Sequence, residues 1–182
     1  MTIEPRDIIE FWRRVGPKAW FKKSDAFDAQ IRERFEGVHH AAARGEHDAW
    51  AETPEGSLAL LLLLDQFPRN LYRGSGHAFA TDPLARSVAR RAIAAGHDQA
   101  APPQLRGFYY LPFQHSEDPN DQAVGVELRE ALERETGERA GWARKHSDII
   151  ARFGRFPHRN TCLGRQTTAE EQTFLDEGGF AG

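Results

Sequence analysis

The chain has little cysteine and no long hydrophobic run. Its single thiol, Cys162, cannot form an intramolecular disulfide, so the fold depends on a hydrophobic core and not on covalent cross-links. The longest apolar run, residues 58–64, is far shorter than the roughly 20 residues that a membrane-spanning helix needs. The first residues also lack the basic start and apolar stretch of a secretory signal. These absences predict a cytoplasmic protein with no membrane anchor.

An excess of one charge sign is missing as well. The sequence has 24 Lys and Arg against 27 Asp and Glu, a net charge of −3. This balance does not suit a nucleic-acid-binding protein, so no nucleic-acid partner is expected. The composition, 40% hydrophobic and 28% charged, is that of an ordinary globular protein. The length lies within the usual range of one domain, about 50–250 residues, so we expect a single domain over residues 1–182.

Strand patterns are absent, because no segment combines alternating hydrophobicity with β-branched residues over sufficient length. Helical periodicity dominates, most clearly between a predicted N-cap at Ser24 and Gly45, where apolar residues recur every three or four positions. Similar start and stop signals predict the other helices and hence an all-α fold. These helices cover residues 5–14, 54–67, 82–96 with Asp82 as cap, 103–110, 119–135, 139–153, and 168–177 with a Thr168–Glu171 capping box.

The predicted core takes one apolar face from each helix. The helix at 54–67 is apolar on every side and should lie in the middle of the core. Five histidines are expected on surfaces or loops: His39, His40, His47, His77 and His97. In the remaining helices, the residues predicted to face the core are Ile8, Phe11, Trp12, Val15, Phe27, Ile31, Phe35, Val38, Ala42, Leu84, Val88, Ala92, Ala95, Val124, Leu128, Ala131, Leu132, Trp142, His146, Ile149, Ile150 and Phe153.

A first group of polar residues follows the most apolar helix. Asp65 lies near the C-terminus of that helix, where the helix dipole disfavours an anion. A lone buried carboxylate is costly, so Asp65 should have a partner, and Arg69 and Arg73 are the nearest cations. One interpretation is an ion pair that fixes the helix end. The other is a binding site completed by Gln66 and Asn70.

A second group, His115, Ser116 and Glu117, precedes a predicted helix N-terminus. Backbone N–H groups at such a position could bind an anion or orient a carboxylate. His115 could act as a general base or bind a metal ion, but the spacing of these residues matches no metal-ligand pattern. The alternative is that they only cap the helix and turn the chain.

A third group combines Arg155, His158, Arg159, Asn160 and Arg165. Arginine side chains suit carboxylates and phosphates. His146, on the apolar face of the preceding helix, either faces the same cavity or is a core residue. Residues 115–138 carry eight acids and two arginines, whereas residues 139–165 carry seven basic residues and one acid. This segregation predicts either attraction between two neighbouring helices or a basic wall for anionic ligands.

Long strings around these residues resemble a bacterial family described only as domain of unknown function 924. The strings are residues 58–73, 78–89, 108–118, 146–165 and 168–175, with a weaker match over 20–35, so most of the chain is covered. Gln114 departs from the pattern, because the family has an apolar residue there. The resemblance implies a fold similar to tetratricopeptide repeats, with antiparallel helix pairs stacked in a right-handed superhelix. It implies no activity, substrate or cofactor.

Three functions fit these features. The first is a binding module whose pocket holds a small anionic molecule or peptide by a carboxylate or phosphate. The second is a hydrolase or isomerase acting on an anionic metabolite, with His115, Glu117 and His158 as catalytic candidates. The third is a protein–protein scaffold, by analogy with tetratricopeptide-like folds. No cofactor or metal is expected. The predicted ligand-binding residues are Asp65, Gln66, Arg69, Asn70, Arg73, His146, Arg155, Arg159, Asn160 and Arg165.

Overall fold

The computed structural model describes residues 2–181, and in that range the chain forms helices and turns without any strand. The all-α prediction is therefore confirmed. The helices are α1 (Pro5–Val15), α2 (Pro17–Trp20), α3 (Asp25–Ala43), α4 (Pro54–Leu61), α5 (Phe67–Leu71), α6 (Asp82–Ala94), α7 (His97–Ala100), α8 (Pro103–Gln114), α9 (Pro119–Thr136), α10 (Gly141–Phe153) and α11 (Ala169–Asp176). Short 3₁₀ turns connect several of them.

The chain divides into two compact units. The first contains the residues up to Arg73 together with His77–Pro112, and the second contains Gly74–Gly76 and the chain from Phe113 onward. In the first unit, α1 packs against α4 and α3 packs against α5. The apolar face of α1 meets an aromatic cluster there, in which Trp12 stacks on Trp20 with ring centroids 5.8 Å apart. Burial of this surface is the main source of stability, at about 25 cal/mol for each Å² removed from water.

Between α4 and α5 the backbone forms a π-helical turn, Leu62–Gln66, which the apolar periodicity did not predict. Such a turn departs from regular α-helical pairing and often occurs at functional sites. Here it makes backbone carbonyls available to side chains from neighbouring segments. The accepting groups are Leu63 O, 2.9 Å from His39 Nδ1; Leu64 O, 2.6 Å from the Thr81 hydroxyl; and Asp65 O, which accepts from Arg69 Nη1.

The second unit is organised around α9 and α10. A link of four residues, 137–140, joins them, as is common for antiparallel neighbours. Arg144 near the start of α10 pairs with Glu133 and Glu130 near the end of α9, with N–O distances of 2.8 Å in both cases. The segregated charges of these helices therefore attract each other across an exposed seam, as one interpretation of the sequence predicted. Below the seam, Ile149, Ile150 and Phe156 form the core.

Most helix starts agree with the prediction, since the side chains of Ser24, Thr53 and Asp118 cap α3, α4 and α9. The predicted cap Asp82 is wrong: the chain enters α6 one residue earlier, with Thr81 at the cap position. The predicted end of α8 at Tyr110 is also wrong, because the helix continues to Gln114 with Pro112 inside it. Likewise, α10 begins at Gly141 and not at residue 139.

Some predicted core positions at the edges of helix faces are wrong, although the predicted positions Val88, Ala92, Leu132, Ile149 and Ile150 are buried. In α6 the small residues Ala85 and Ala89 face inward, so Leu84 is 44% exposed and Ala95 is exposed. In α9, Ala131 is exposed although the adjacent Leu132 is buried. In α10, Ala143 is buried and Trp142 is 60% exposed. Conversely, His39, expected at the surface, is buried beside the π-helical turn.

Within residues 2–181, none of the helices combines the length and the apolar content that crossing a membrane requires.

Candidate functional site

The first polar group lies in the first unit, where the π-helical turn directs Asp65 inward. Arg69 is placed between two buried carboxylates: its Nη1 is 3.6 Å from Asp65 Oδ1, and its guanidinium donates to both oxygens of Asp82 at 3.0 and 3.1 Å. Burial by itself would lower the pKa of Arg69, but the charges of Asp65 and Asp82 raise it. Gln66 also donates to Asp65. The predicted ion pair of Asp65 with Arg69 is confirmed, and Arg69 joins it to Asp82.

Asn70 and Arg73 of the first group bind a carboxylate on α3 and not Asp65. Asp28 accepts from Asn70 Nδ2 at 2.7 Å and from Arg73 at 2.5 and 3.0 Å. An open depression of about 680 Å³ adjoins these residues. Its charged lining balances three acids against three bases, so it does not select for an anion: Asp25, Asp28, Glu33, Lys23, Arg32 and Arg73.

The second and third polar groups come together in the second unit. Glu117, just before α9, accepts two hydrogen bonds from Arg165, at 2.7 and 3.0 Å, and one from the Phe156 backbone N–H at 2.8 Å. Burial alone would raise the pKa of Glu117, but these hydrogen bonds and the charges of Arg165 and Arg159 lower it. Glu117 is therefore held as a carboxylate, with its oxygens occupied by structural partners.

Glu171 of α11 binds two more members of the third group. Arg155 donates to both of its oxygens, at 2.6 and 2.8 Å, and Asn160 Nδ2 lies 3.2 Å from Oε2. The hydrogen bond from Arg155 contributes most to lowering the pKa of Glu171 to about 2. The sequence indicated Glu171 only as half of a capping box, which it also forms with Thr168. Its second role, as the carboxylate that neutralises Arg155, has no signal in the local sequence.

The least satisfied polar side chain of this region is His146 on α10. It is only 6% exposed, yet neither of its ring nitrogens has a hydrogen-bond partner among the described residues. The His115 ring lies 6.3 Å from it, between centroids. The charge of His158 also acts on the His146 ring, and we call His115, His146 and His158 the imidazole cluster. Apolar rings flank it, with Phe156 at 5.5 Å and Phe180 at 4.7 Å from the His146 ring.

Burial and neighbouring charges keep the His146 imidazole neutral at physiological pH. Burial is the larger cause, and together they lower the pKa of His146 from 6.5 to about 3. The largest charge effects on this ring come from basic side chains. A neutral imidazole has one N–H donor and one nitrogen acceptor, and both of these groups on the buried ring lack a hydrogen-bond partner among the described residues. The acting charges are those of His115, Arg159, His158 and Lys145.

The first unit also contains a hydroxyl–imidazole contact that the sequence does not predict. The Ser57 hydroxyl lies 3.2 Å from His97 Nδ1 and 3.0 Å from Pro54 O, to which it donates. Burial raises the pKa of the neighbouring Tyr109 to about 12. Ser57 is fully buried and its hydroxyl already has partners in the protein, so the contact joins helix ends. The residues are 40 positions apart, which is why no motif indicated the pair.

In the part of the chain that the structure describes, no group of three or more His, Cys, Asp or Glu side chains is arranged to hold a metal ion. Cys162 lies beside the third group, where its thiol is 3.2 Å from Arg159 O.

Comparisons with known proteins give a family but no activity. Residues 8–179 match the family described as bacterial protein of unknown function, DUF924. The chain is also similar to the solved structure of ATU0120, a protein of unknown function from Agrobacterium tumefaciens. The two share 52% sequence identity with a TM-score of 0.91, over 96% of this chain and 97% of that chain. No curated protein matches significantly. The family match extends over nearly the whole chain and includes all three polar groups, so the chain belongs to the DUF924 family.

Proposed function

We propose that the chain is a binding module for a small anion, which is held in the second unit by the imidazole cluster and Arg159. The observation that carries the proposal is His146, which is almost fully buried with both ring nitrogens unpartnered. Buried polar groups are hydrogen-bonded in the great majority of cases, and an exception calls for an ion, a water molecule or a functional role.

The charges around His146 favour an anion over a cation. Arg159 and Lys145 are cationic neighbours, and the guanidinium carbon of Arg159 lies 4.5 Å from the centre of the Phe156 ring. A carboxylate or phosphate oxygen would accept a hydrogen bond from the neutral His146 N–H and would be attracted by Arg159. The second nitrogen of His146 could accept from a hydroxyl of the same ligand or from a water molecule.

Several predicted ligand-binding residues have less support, because protein carboxylates already bind them. Asp28 and Asp82 bind members of the first group, whereas Glu117 and Glu171 bind members of the second unit. Because the unpartnered nitrogens of His146 carry the proposal, we restrict the proposed site to the imidazole cluster and to Arg159, whose charge acts on the His146 ring. The residues that we leave out are Asp65, Gln66, Arg69, Asn70, Arg73, Arg155, Asn160 and Arg165.

Calorimetric titration with phosphate, acetate and citrate tests the proposal. Saturable binding is expected to the wild-type chain. In His146→Phe, which keeps the ring volume and removes both nitrogens, affinity should fall by about tenfold or more, the effect of one buried hydrogen bond. His40→Phe, at an exposed position of the first unit, is the matched control and should bind as the wild type does. Equal affinity in His146→Phe, or no binding by any of the anions, would refute the proposal.

An acid–base enzyme has weaker support from the same geometry. A catalytic general base works best with a pKa near the working pH, whereas the pKa of His146 is about 3. Glu117 cannot readily exchange a proton either, because Arg165 and the Phe156 N–H hold it as a carboxylate. His115 and His158 stay candidates for catalysis, and turnover of an anionic ester that is lost in His115→Ala would favour this alternative.

The remaining expectations stay proposals. The antiparallel pair α9 and α10 is the kind of unit from which a tetratricopeptide-like superhelix is built, and we retain that arrangement, a single domain over residues 1–182 and a cytoplasmic location as predictions. A protein–protein scaffold would use exposed apolar side chains, of which Phe21 and Trp142 are the largest at 71% and 60% exposure. A single exposed aromatic is normal for a surface and does not by itself indicate a partner.

A further inference from the structure

We propose that the site at the imidazole cluster is specific for aromatic carboxylates, and that Phe180 occupies the position of the ligand's ring until the ligand displaces it. The inference rests on the proposed function, because the carboxylate would be held by the same His146 and Arg159.

The Phe180 side chain packs against four rings of the second unit. Its centroid lies 4.7 Å from that of His146, 5.0 Å from His158, 5.8 Å from Trp142 and 6.4 Å from Phe156. Two of these contacts are edge-to-face, a favoured geometry for aromatic pairs. We call these four side chains the ring cage. A cage of this kind selects a flat ring.

Two glycines direct Phe180 into the ring cage. Gly178 has a φ of +81°, which reverses the chain after α11. At Gly179 a Cβ atom would lie 2.4 Å from Phe174 O and 2.6 Å from the Phe174 ring, so only glycine fits against that residue. The sequence Gly178-Gly179-Phe180 is thus built to fold the tail back onto α10 and α11.

After Gly179, ring contacts of the Phe180 side chain hold the chain against α10. Over residues 2–181, the last backbone–backbone hydrogen bond of the tail is the one from Gly179 N–H to Phe174 O, at 2.9 Å. Phe180 itself is half-buried. A ring of comparable size that also carries a carboxylate would keep the aromatic contacts and add the charge-assisted hydrogen bond that Phe180 cannot make to His146. The balance therefore favours exchange of the tail for such a ligand.

Phe180 also sets the apparent affinity. When the binding-competent state is only partly populated, the apparent dissociation constant rises in inverse proportion to that fraction. Emptying the ring cage should therefore tighten binding of an aromatic carboxylate. A carboxylate without a ring, which does not need the cage, should be indifferent to Phe180.

The experiment compares benzoate with acetate and phosphate by calorimetric titration of the full chain. Benzoate should bind the wild type more tightly than acetate does. Phe180→Ala should tighten benzoate binding by about fivefold or more, the equivalent of one aromatic pair, and leave acetate binding unchanged. Gly179→Ala, which keeps the Phe180 ring but prevents the tail from folding back, should act in the same direction. Phe21→Ala, the same substitution at an exposed site of the first unit, is the control.

The possible results separate this inference from the proposed function. If acetate and phosphate bind in a manner that depends on His146 but benzoate has no advantage, the ring specificity is wrong and anion binding stands. If Phe180→Ala and Gly179→Ala leave the affinity for benzoate unchanged or weaken it, the displacement of Phe180 is wrong. If none of the three anions binds to any variant, the proposed function fails together with this inference.

Discussion

The guanidinium of Arg165 binds both carboxylate oxygens of Glu117, with Nη1 2.7 Å from Oε2 and Nη2 3.0 Å from Oε1. A third donor, the Phe156 backbone N–H, lies 2.8 Å from Oε1. Such a two-point pair is the strongest geometry available to a charged hydrogen bond. The pair fixes the segment before α9 to the loop after α10, and this loop carries His158 and Arg159 of the proposed site.

Glu117→Gln should therefore lower stability. The amide keeps the size of the side chain but loses the charge and one acceptor, so Arg165 and the Phe156 N–H are left poorly paired. We expect the free energy of unfolding to fall by about 1–3 kcal/mol, the range for hydrogen bonds to charged groups, as measured by urea denaturation. Glu138→Gln is the matched control, since Glu138 is exposed and its pair with Arg129 is 3.4 Å long. A loss no larger than in this control would contradict the structural role of Glu117.

Arg69→Met should cost more than Glu117→Gln. Removing the cation leaves Asp65 and Asp82, which are nearly fully buried, without their shared partner. Breaking a buried pair in this way typically costs about 3–5 kcal/mol, which urea denaturation would show. Arg6→Met provides the contrast, because Arg6 and Glu10 form a 3.9 Å pair at the surface and the change there should stay within about 0.5 kcal/mol. Partial rescue by Arg69→Met with Asp82→Asn would identify the orphaned carboxylate as the cause.

Local signals in the sequence predict the helices and their caps, because the interactions that start and stop a helix join residues three or four positions apart. The caps Ser24, Thr53 and Asp118 are examples. The same signals do not predict the π-helical turn at Leu62–Gln66, since carbonyls of that turn are satisfied by side chains from α3 and from the start of α6.

The candidate site is predictable to the same degree. The residue types are visible in the sequence: His115, His146, His158 and Arg159 all stand out in apolar surroundings. Whether each polar side chain has a hydrogen-bond or ion-pair partner is not visible in the sequence, because the partners lie far along the chain. Glu117 and Arg165 are 48 positions apart, and Asp28 and Arg73 are 45 apart. The sequence therefore indicates which polar residues need partners, whereas only the fold separates the paired arginines from the unpartnered imidazole of His146.

Substituting alanine for two helical glycines should change the free energy of unfolding in opposite directions, because only one of them is closely packed. At Gly56 of α4 an added Cβ would lie 2.1 Å from Trp50 O, whereas at Gly37 of α3 it would meet nothing within 4 Å. Gly56→Ala should therefore destabilise the chain by about 1–3 kcal/mol or more through overpacking. Gly37→Ala should stabilise it by about 0.5–1 kcal/mol, because alanine loses less backbone entropy in a helix. Thermal or urea unfolding of both variants decides the matter, and equal shifts would show that the approach of α4 to Trp50 is looser than described.

The neutral state of His146 should appear as a pH dependence of stability. Because the folded-state pKa of His146 is lowered from 6.5 to about 3, the unfolded chain takes up a proton at this ring below pH 6.5 and the folded chain does not. The contribution of His146 is therefore complete above pH 6.5. It declines as the pH falls from 6.5 towards 3, by at most about 1.4 kcal/mol for each pH unit.

His146→Phe removes this term while it leaves His115, His158, Arg159 and Lys145, the groups that act on the ring. The wild type should therefore lose stability relative to His146→Phe between pH 7 and pH 5, a range in which the carboxylates stay largely ionised. Urea midpoints measured at half-unit intervals give the difference directly. The control His40→Phe keeps His146, so its urea midpoint should fall with pH as that of the wild type does. Parallel curves for wild type and His146→Phe would mean that the imidazole can take up a proton inside the folded chain, and the site would then present a cation and not a neutral donor to its ligand.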